Sequence, residues 1–309
     1  MKERIEYYDV AKGILILLVV LGHVFETGII NQYIYSFHMP AFFIISGIIQ
    51  NYSSVLKKPL KDAIIRKIYT LIVPFLFFEL IGVLFNIARF GVTLNIFGYA
   101  SNTLSLRCNN GPDWFIWALF VDEILFLLIH HFLKNKYIIW AASFGIGLFM
   151  IINYKFYLFG STGVGFLFLT FGYYAIKLFN QKRNIIIVVV AGAVSIITCA
   201  LNGKVDLGPC QFGFVPYYII SALAGTILVI EISKYIHSKW LTYYGRNTLT
   251  VMGTHQAINL TFKVRAGIES YTFPMGIVML FAISMLEIGI IRVFNRYIPF
   301  LIGKGKIYR

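Results

Sequence analysis

Long apolar stretches alternate with short polar segments along nearly the whole chain. Each stretch is close to the length of about 20 residues that a helix needs to cross about 30 Å of hydrocarbon. The stretches cover residues 11–30, 33–50, 69–88, 114–132, 138–153, 158–178, 185–201, 214–232, 240–262 and 273–294. No repeat, low-complexity segment or linker divides them into separate units. The pattern therefore predicts one all-α domain over residues 1–309, a polytopic transmembrane bundle of about ten helices.

The composition agrees with this prediction. The chain is 59% hydrophobic and only 13% charged, and its mean hydropathy is +0.77. These values are far outside the range of soluble domains, and they exclude a doubly wound enzyme or a β-sandwich. We expect the lipid bilayer to be the protein's immediate surroundings.

The net charge of +14 has two interpretations. It could indicate nucleic-acid binding, but Lys and Arg that flank apolar spans are also what the positive-inside rule produces. With a cytoplasmic N-terminus, 21 of the 27 Lys and Arg fall inside and 6 outside. The outer six are Arg89, Arg107, Lys155, Lys204, Lys263 and Arg265. The split predicts that both termini are cytoplasmic and that nucleic acid is not a partner.

His23 lies in the middle of the first apolar stretch. Ionisable groups at that depth are costly, so they usually face the interior of a bundle or a wet cavity. Lys12 precedes His23 by eleven residues, about 1100° of helical rotation, so both share one helix face about 16 Å apart. Asp9 is three residues before Lys12, and a local ion pair between them is the simplest account of both.

Three histidines are predicted to lie at one depth. His23 and His38 flank the first hairpin, each about seven residues or 11 Å below the outer ends of their helices, and His255 has the same depth in the ninth span. Any one of them alone could be a buried neutral imidazole bonded to a neighbouring helix. Their agreement in depth instead favours a shared polar site. Glu26 follows His23 by three residues, where it could orient the imidazole or simply lie at the outer interface.

Further acidic groups at membrane depth are expected to pair with one another or with the histidines. They are Glu79, Asp122, Glu123 and Glu287. Of the three cysteines, Cys108 and Cys210 fall in predicted outer loops, where a disulfide between them is chemically feasible. No Cys/His spacing indicates zinc, and no metal is expected.

Several motifs resemble those of the acyltransferase-3 family of bacterial membrane acyltransferases, particularly its branch similar to fucose 4-O-acetylase. The first helix has a basic residue, ten intervening positions and a histidine, matched by Lys12 and His23, although arginine is commoner at the first position. The second has FHMPAFFIISG at residues 37–47. Arg66-Lys67 resembles the family's RxxR segment without its second arginine. Asp113-Trp114-Phe115 and GRNTL at 245–249, leading to His255, resemble later motifs.

The resemblance implies transfer of an acetyl group from cytoplasmic acetyl-CoA to a sugar hydroxyl of a cell-surface polysaccharide or its lipid-linked precursor. It also implies the inner membrane of a bacterium, and a homo-oligomer is compatible with it. His23 would be the general base, and His38 or His255 would donate to the tetrahedral intermediate. Lys12, Arg66 and Lys67 would bind the phosphates of CoA. The acceptor site is assigned to Trp114, Asp113, Glu79 and Asp122.

Two alternatives stay open from the sequence. An acyl-histidine relay is a second chemical route to the same product. A transporter or flippase for a glycan or small polar substrate is the alternative from another class, since membrane histidines and carboxylates also build proton relays. Inverted internal repeats would favour transport, and the sequence shows none.

Overall fold

The structure is a computed structural model that describes residues 5–90, 98, 108–152 and 160–305. Within these residues it is helical and contains no strand. The α-helices are α1 (Glu6–Val24), α2 (Ile29–Tyr35), α3 (His38–Tyr52), α4 (Leu60–Lys67), α5 (Val73–Phe90), α6 (Trp114–Phe132), α7 (Lys136–Ile152), α8 (Gly160–Tyr174), α9 (Ile176–Phe179), α10 (Ile185–Asn202), α11 (Val215–Ser233), α12 (Lys239–Gly245), α13 (Thr248–Ala266) and α14 (Phe273–Tyr297). Residues 68–72 form a π-helical turn that joins α4 to α5.

The predicted fold class is confirmed. Each of the ten apolar stretches contains a helix, and seven helical segments of the described chain are long and apolar enough to cross a membrane on their own. Those seven are Glu6–Val24, Ile29–Tyr52, Leu60–Arg89, Gly111–Phe132, Ile185–Asn202, Val215–Ser233 and Phe273–Tyr297. The protein is therefore a multi-pass membrane protein. The cytoplasmic location of its termini stays a prediction, and the predicted outer cations Arg107 and Lys155 lie outside the described residues.

Helix α1 is the centre of the bundle. It packs against α2, α3, α11, α12, α13 and α14. Two glycines permit its closest contact, which is with α12. A methyl group on Gly13 would collide with the backbone oxygen of Leu241, and one on Gly245 would collide with that of Asp9. Because the two backbones touch, Arg246 is fixed beside the first turns of α1.

The first predicted hairpin is more interrupted than its hydrophobic pattern indicates. Helix α1 ends at Val24 rather than near residue 30, and a polar turn at Glu26–Gly28 follows, in which Gly28 has φ of 90°, a region that favours glycine. The second stretch is two helices, because α2 ends at Tyr35 and α3 begins at His38. Pro40 lies in the first turn of α3, where its missing N–H is not needed. The ninth stretch is likewise divided into α12 and α13 at Arg246 and Asn247.

The two cysteines of the predicted outer loops are both buried, and no disulfide joins Cys108 to Cys210. Cys199 lies within α10, close to α2. The structure therefore does not pair the loop cysteines.

Candidate active site at the histidine cluster

The structure brings the three membrane histidines together. The ring centroids of His23 and His255 are 5.0 Å apart. Tyr35 joins the third member, with its ring 6.4 Å from that of His23 and 4.9 Å from that of His38. We call these four residues, together with Asn259, the histidine cluster. Tyr35 carries no sequence signal, because an aromatic residue in an apolar helix is expected wherever the helix is buried.

Helix ends build this cluster. His23 lies in the last turn of α1 and His38 is the first residue of α3, so neither is seven residues inside a continuous helix, as the sequence had suggested. Irregular backbone at membrane depth is tolerated where protein encloses it or where it lines a cavity.

Hydrogen bonds fix the tautomers of two imidazoles. His38 Nδ1 lies 2.8 Å from the oxygen of Ile34, and His255 Nδ1 lies 2.7 Å from that of Val251. A carbonyl only accepts, so Nδ1 carries the proton in each ring and Nε2 is the acceptor of the neutral form. His255 Nε2 is fully buried and has no hydrogen-bond partner among the described residues. A buried polar atom left in this way is typical of a site that completes its bonds with a ligand or water.

Asn259 holds His23 against α13. Its Nδ2 donates to the backbone oxygen of His23 at 2.9 Å, while its Oδ1 is buried and has no partner in the described part of the chain. It lies one helical turn after His255, and its own backbone oxygen accepts from the Tyr271 hydroxyl at 3.3 Å. We did not predict Asn259, although a polar residue four positions after His255 in a membrane helix is a usable signal.

Of the two alternatives for Glu26, the structure shows the carboxylate at the outer interface and gives it no contact with His23. Because α1 ends at Val24, the helical spacing of three residues is not maintained, and Glu26 instead forms a 2.8 Å ion pair with Lys263. The Lys263 side chain is 7% exposed and that of Glu26 is 49% exposed, so the pair lies at the rim of the bundle. Lys263 also lies over the ring of Tyr271 at 5.4 Å.

Two of the proposed acceptor residues meet at a turn that packs beside α13: Asp113 belongs to the turn, and Glu79 reaches it from α5. Glu79 accepts hydrogen bonds from the backbone N–H and the side chain of Asn109, each at 2.9 Å. Asn110 donates at 2.8 Å to the oxygen of Gly253, two residues before His255. Asp113 follows in this turn; it is fully buried and neither carboxylate oxygen has a hydrogen-bond partner among the described residues. The turn thus places acidic groups next to the helix of His255.

The other proposed acceptor residues lie elsewhere. Asp122 is fully buried against Gly165 and Phe43, and it hydrogen-bonds to none of the three histidines. Trp114 is half-buried, and its indole nitrogen lies beside Gly208 in the loop between α10 and α11. The structure therefore gives Asp122 no contact with the histidine cluster.

The remaining membrane carboxylates also bind partners other than histidine. Glu123 accepts from Ser46 at 2.7 Å and pairs with Lys67 at 2.7 Å. Glu287 accepts from the Thr254 hydroxyl at 2.8 Å. The expectation that these groups pair with the histidines is therefore wrong for both of them.

The ion pair predicted between Asp9 and Lys12 is present, with Nζ and Oδ1 3.0 Å apart. Arg246 approaches the same carboxylate, its Nε lying 3.1 Å from Oδ2 of Asp9. We call Asp9, Lys12 and Arg246 the Asp9 cluster. The cluster thus brings two side-chain cations, Lys12 and Arg246, together on one face of α1.

The second predicted group of donor cations is only partly available. Lys67 is held by Glu123, whereas Arg66 is exposed. Burial, followed by the positive charges of Arg66 and Lys67, lowers the pKa of Lys58 in the preceding connection. The described residues contain no group of three or more His, Cys, Asp or Glu that could hold a metal ion.

Comparison with known proteins identifies the class. Residues 5–292 match the acyltransferase domain family Acyl_transf_3, and the chain belongs to that family. The described helices and this match together define a multi-pass membrane domain of the acyltransferase class.

Two curated relatives are similar over less than half of the chain. Nodulation protein NolL of Sinorhizobium fredii (strain NBRC 101917 / NGR234) is 31% identical over 160 residues, which are 47% of this chain and 42% of the relative. Nodulation protein NolL of Mesorhizobium japonicum (strain LMG 29417 / CECT 9101 / MAFF 303099) is 32% identical over 151 residues, 44% of this chain and 38% of the relative. The chain thus matches about two fifths of the length of each. No solved structure matches it.

Proposed function

We propose that the protein transfers an acetyl group from cytoplasmic acetyl-CoA to a sugar hydroxyl of a cell-surface glycan or its lipid-linked precursor, in the inner membrane of a bacterium. The observation that carries this proposal is the contact between His23 and His255, in which His255 Nε2 is a buried acceptor without a partner in the described chain. Such an atom can accept a hydrogen bond from the sugar hydroxyl and hold it beside His23, to which we assign the role of general base.

The two clusters on α1 provide for the two substrates. Lys12 and His23 are separated by eleven residues of continuous helix, about 16 Å. The pantetheine arm of CoA has about this length, so phosphates held at the Asp9 cluster leave the thioester near the histidine cluster. This arrangement requires the Asp9 cluster to face the cytoplasm, as the distribution of Lys and Arg predicts.

The proton steps follow from the imidazoles. His23 takes the proton of the sugar hydroxyl as its oxygen bonds to the thioester carbonyl carbon, and the proton then passes to sulfur when the C–S bond breaks. The products are the acetyl ester and CoA thiol. Neutral His255 cannot donate from Nε2, because its one ring proton is on Nδ1 and is donated to the backbone oxygen of Val251. It can therefore stabilise the oxyanion as a donor only after it has gained a second proton.

The test uses inside-out membrane vesicles that contain the protein and acetyl-CoA labelled in the acetyl group. We expect base-labile label in envelope glycan or its precursor with the wild type, and a loss of at least about 100-fold with His23→Ala. The matched control is His237→Ala, since His237 lies in the connection between α11 and α12. Transfer above about a tenth of wild type in His23→Ala would contradict the general-base role.

A further inference from the structure

A lateral groove lies on the side of α2 that is remote from the histidine cluster. Helices α1, α2 and α10 enclose it, and its volume is about 790 Å³. Aliphatic side chains of all three helices line it, among them Leu18, Ile34 and Ile196, and the α2 wall also contains the amides of Asn31 and Gln32. Ile196 is 58% exposed, so the groove opens on the surface that faces lipid. We call it the α2 groove.

One end of this groove is polar and cationic. Thr27 and Gly28 of the turn after α1 form the rim together with Lys204, just beyond the end of α10. Lys204 is exposed and has no ion pair among the described residues. The nearby carboxylate is Asp206, whose Oδ1 accepts from the N–H of Gly208 and whose pKa burial raises to about 6. The α2 groove thus has an exposed cation at one end of its apolar lining.

The groove and the histidine cluster share a wall. The side chain of Ile34 lines the groove, and its backbone oxygen binds Nδ1 of His38. Tyr35, the next residue, touches Gly22 and faces both His23 and His38. A molecule held in the groove is therefore separated from the histidines by the thickness of one short helix.

That wall is fastened on both sides. Asn31 donates to the backbone oxygen of Gly22 at 2.9 Å, which ties α2 to α1. Gln32 Nε2 donates at 3.2 Å to the oxygen of Cys199, and the Cys199 thiol points back at the oxygen of Gln32. These contacts tie α2 to α10 and fix the shape of the groove.

The lining determines the chemistry of the occupant. A bare glycan would lose its water in the groove and gain few hydrogen bonds, because the amides of Asn31 and Gln32 already donate to the backbone oxygens of Gly22 and Cys199. A hydrocarbon chain loses nothing there, and a phosphate at its end would meet Lys204. We propose that the acceptor is a sugar joined through phosphate to a long lipid chain: the chain lies in the α2 groove, the phosphate lies at Lys204, and the sugar passes over the turn after α1 to His23. This inference rests on the proposed function and selects the lipid-linked precursor over the finished polysaccharide.

The test follows the labelled acetyl group in vesicles that contain their own acceptors, after a short pulse. Label is measured separately in the solvent-extractable glycolipid fraction and in lipid-free polysaccharide. With the wild type we expect label first in the glycolipid. Ala200→Trp fills the groove and Lys204→Glu reverses the charge at its rim, and each should lower the initial rate into glycolipid at least about tenfold.

Two matched controls accompany these variants. Val190→Trp adds the same bulk to an exposed position of α10 outside the groove, and Arg265→Glu makes the same charge reversal at another exposed residue predicted to lie on the same side. Both should retain the wild-type rate. Lys204→Glu lies on the surface, so it keeps the test valid if Ala200→Trp fails to fold.

Label that enters lipid-free polysaccharide directly, at a rate unaffected by either groove variant, would overturn the lipid-linked acceptor and leave acetyl transfer intact. Equal loss in the control variants would also overturn it, since the effect would then be general. Absence of label from both fractions with the wild type would instead contradict the proposed function.

Discussion

The histidine cluster and the Asp9 cluster both include residues of α1, at its two ends. They differ in how their polar groups are paired. In the Asp9 cluster the carboxylate has two cationic partners, at 3.0 Å and 3.1 Å. In the histidine cluster His255 Nε2 and Asn259 Oδ1 are buried and have no partner in the described chain. The Asp9 cluster is held together by its own ion pairs, whereas the histidine cluster keeps two buried acceptors that a ligand or water can use.

For the proposed function, this difference assigns donor binding to the Asp9 cluster and the chemical step to the histidine cluster. Paired ions tolerate exchange of one cation for another, provided that charge and reach are kept. An imidazole nitrogen in an active site does not tolerate such an exchange, because its catalytic effect depends on its position relative to the reacting atom. Changes at the histidine cluster should therefore act on the rate of the chemical step, and changes at the Asp9 cluster on the requirement for donor.

The largest expected effect is all-or-none labelling by a thiol reagent, which shows whether the Asp9 cluster or the histidine cluster faces the cytoplasm. In a chain whose three cysteines are replaced, Thr27→Cys should react with an impermeant thiol reagent in intact cells. Lys58→Cys should react only after the membrane is opened. Both positions are exposed in the structure. The reverse pattern would place the Asp9 cluster outside and remove the route for cytoplasmic acetyl-CoA.

The next effect tests whether His23 and His255 act as one unit. Each alanine variant should lower the turnover by about 10²–10⁴-fold. The double variant should be little worse than the weaker single variant, because residues that act together are not additive. Turnover of both singles and the double, at saturating acetyl-CoA, measures this. Losses that multiply would show two independent contributions.

Lys12 should affect the donor instead. Lys12→Ala removes a charge-assisted contact worth about 1.5–3 kcal/mol, which would raise the KM for acetyl-CoA by about tenfold or more. Lys12→Arg keeps the charge and should remain within about threefold of wild type. Equal KM values for all three proteins would show that Lys12 serves only to neutralise Asp9.

Asn259 should have a smaller effect, confined to positioning. Asn259→Ala loses the bond to the His23 carbonyl, worth about 0.5–1.5 kcal/mol, so kcat should fall by about 2- to 15-fold. The KM for acetyl-CoA should not change. Asn259→Gln keeps the amide one methylene farther out, and it should recover part of the loss if only the bond to α1 matters. A changed donor KM would count against a positioning role.

The smallest effect is expected at the rim. Glu26→Gln breaks an ion pair whose carboxylate is half exposed, and such pairs contribute about 0–1 kcal/mol. The turnover should therefore change by less than about threefold. A loss as large as that of His23→Ala would indicate that Glu26 does orient His23, although the structure shows no contact between the two residues.

The sequence could predict the fold and the three histidines of the histidine cluster, but not Tyr35, Asn259 or the way in which the cluster is built. Hydrophobic length and the flanking charges indicate membrane helices because both reflect the bilayer itself. The breaks at Glu26–Gly28 and at Ser36–Phe37 are absent from that signal, since apolar residues continue through the second of them. For this reason the sequence left two alternatives open for Glu26. Its pairing with Lys263 depends on how two distant helices end, and single-chain periodicity contains no such information.

The long sequence separation of the clusters has a consequence for biogenesis. Arg246 is 237 residues from Asp9, and Asn259 is 236 residues from His23. At about 5–20 residues per second, α1 is made about 10 to 50 s before either partner. Lys12 is available throughout that time, from a position three residues away on the same helix. The nascent helix therefore carries a counterion for Asp9 into the membrane, while His23 meets His255 only when the ninth apolar stretch is inserted.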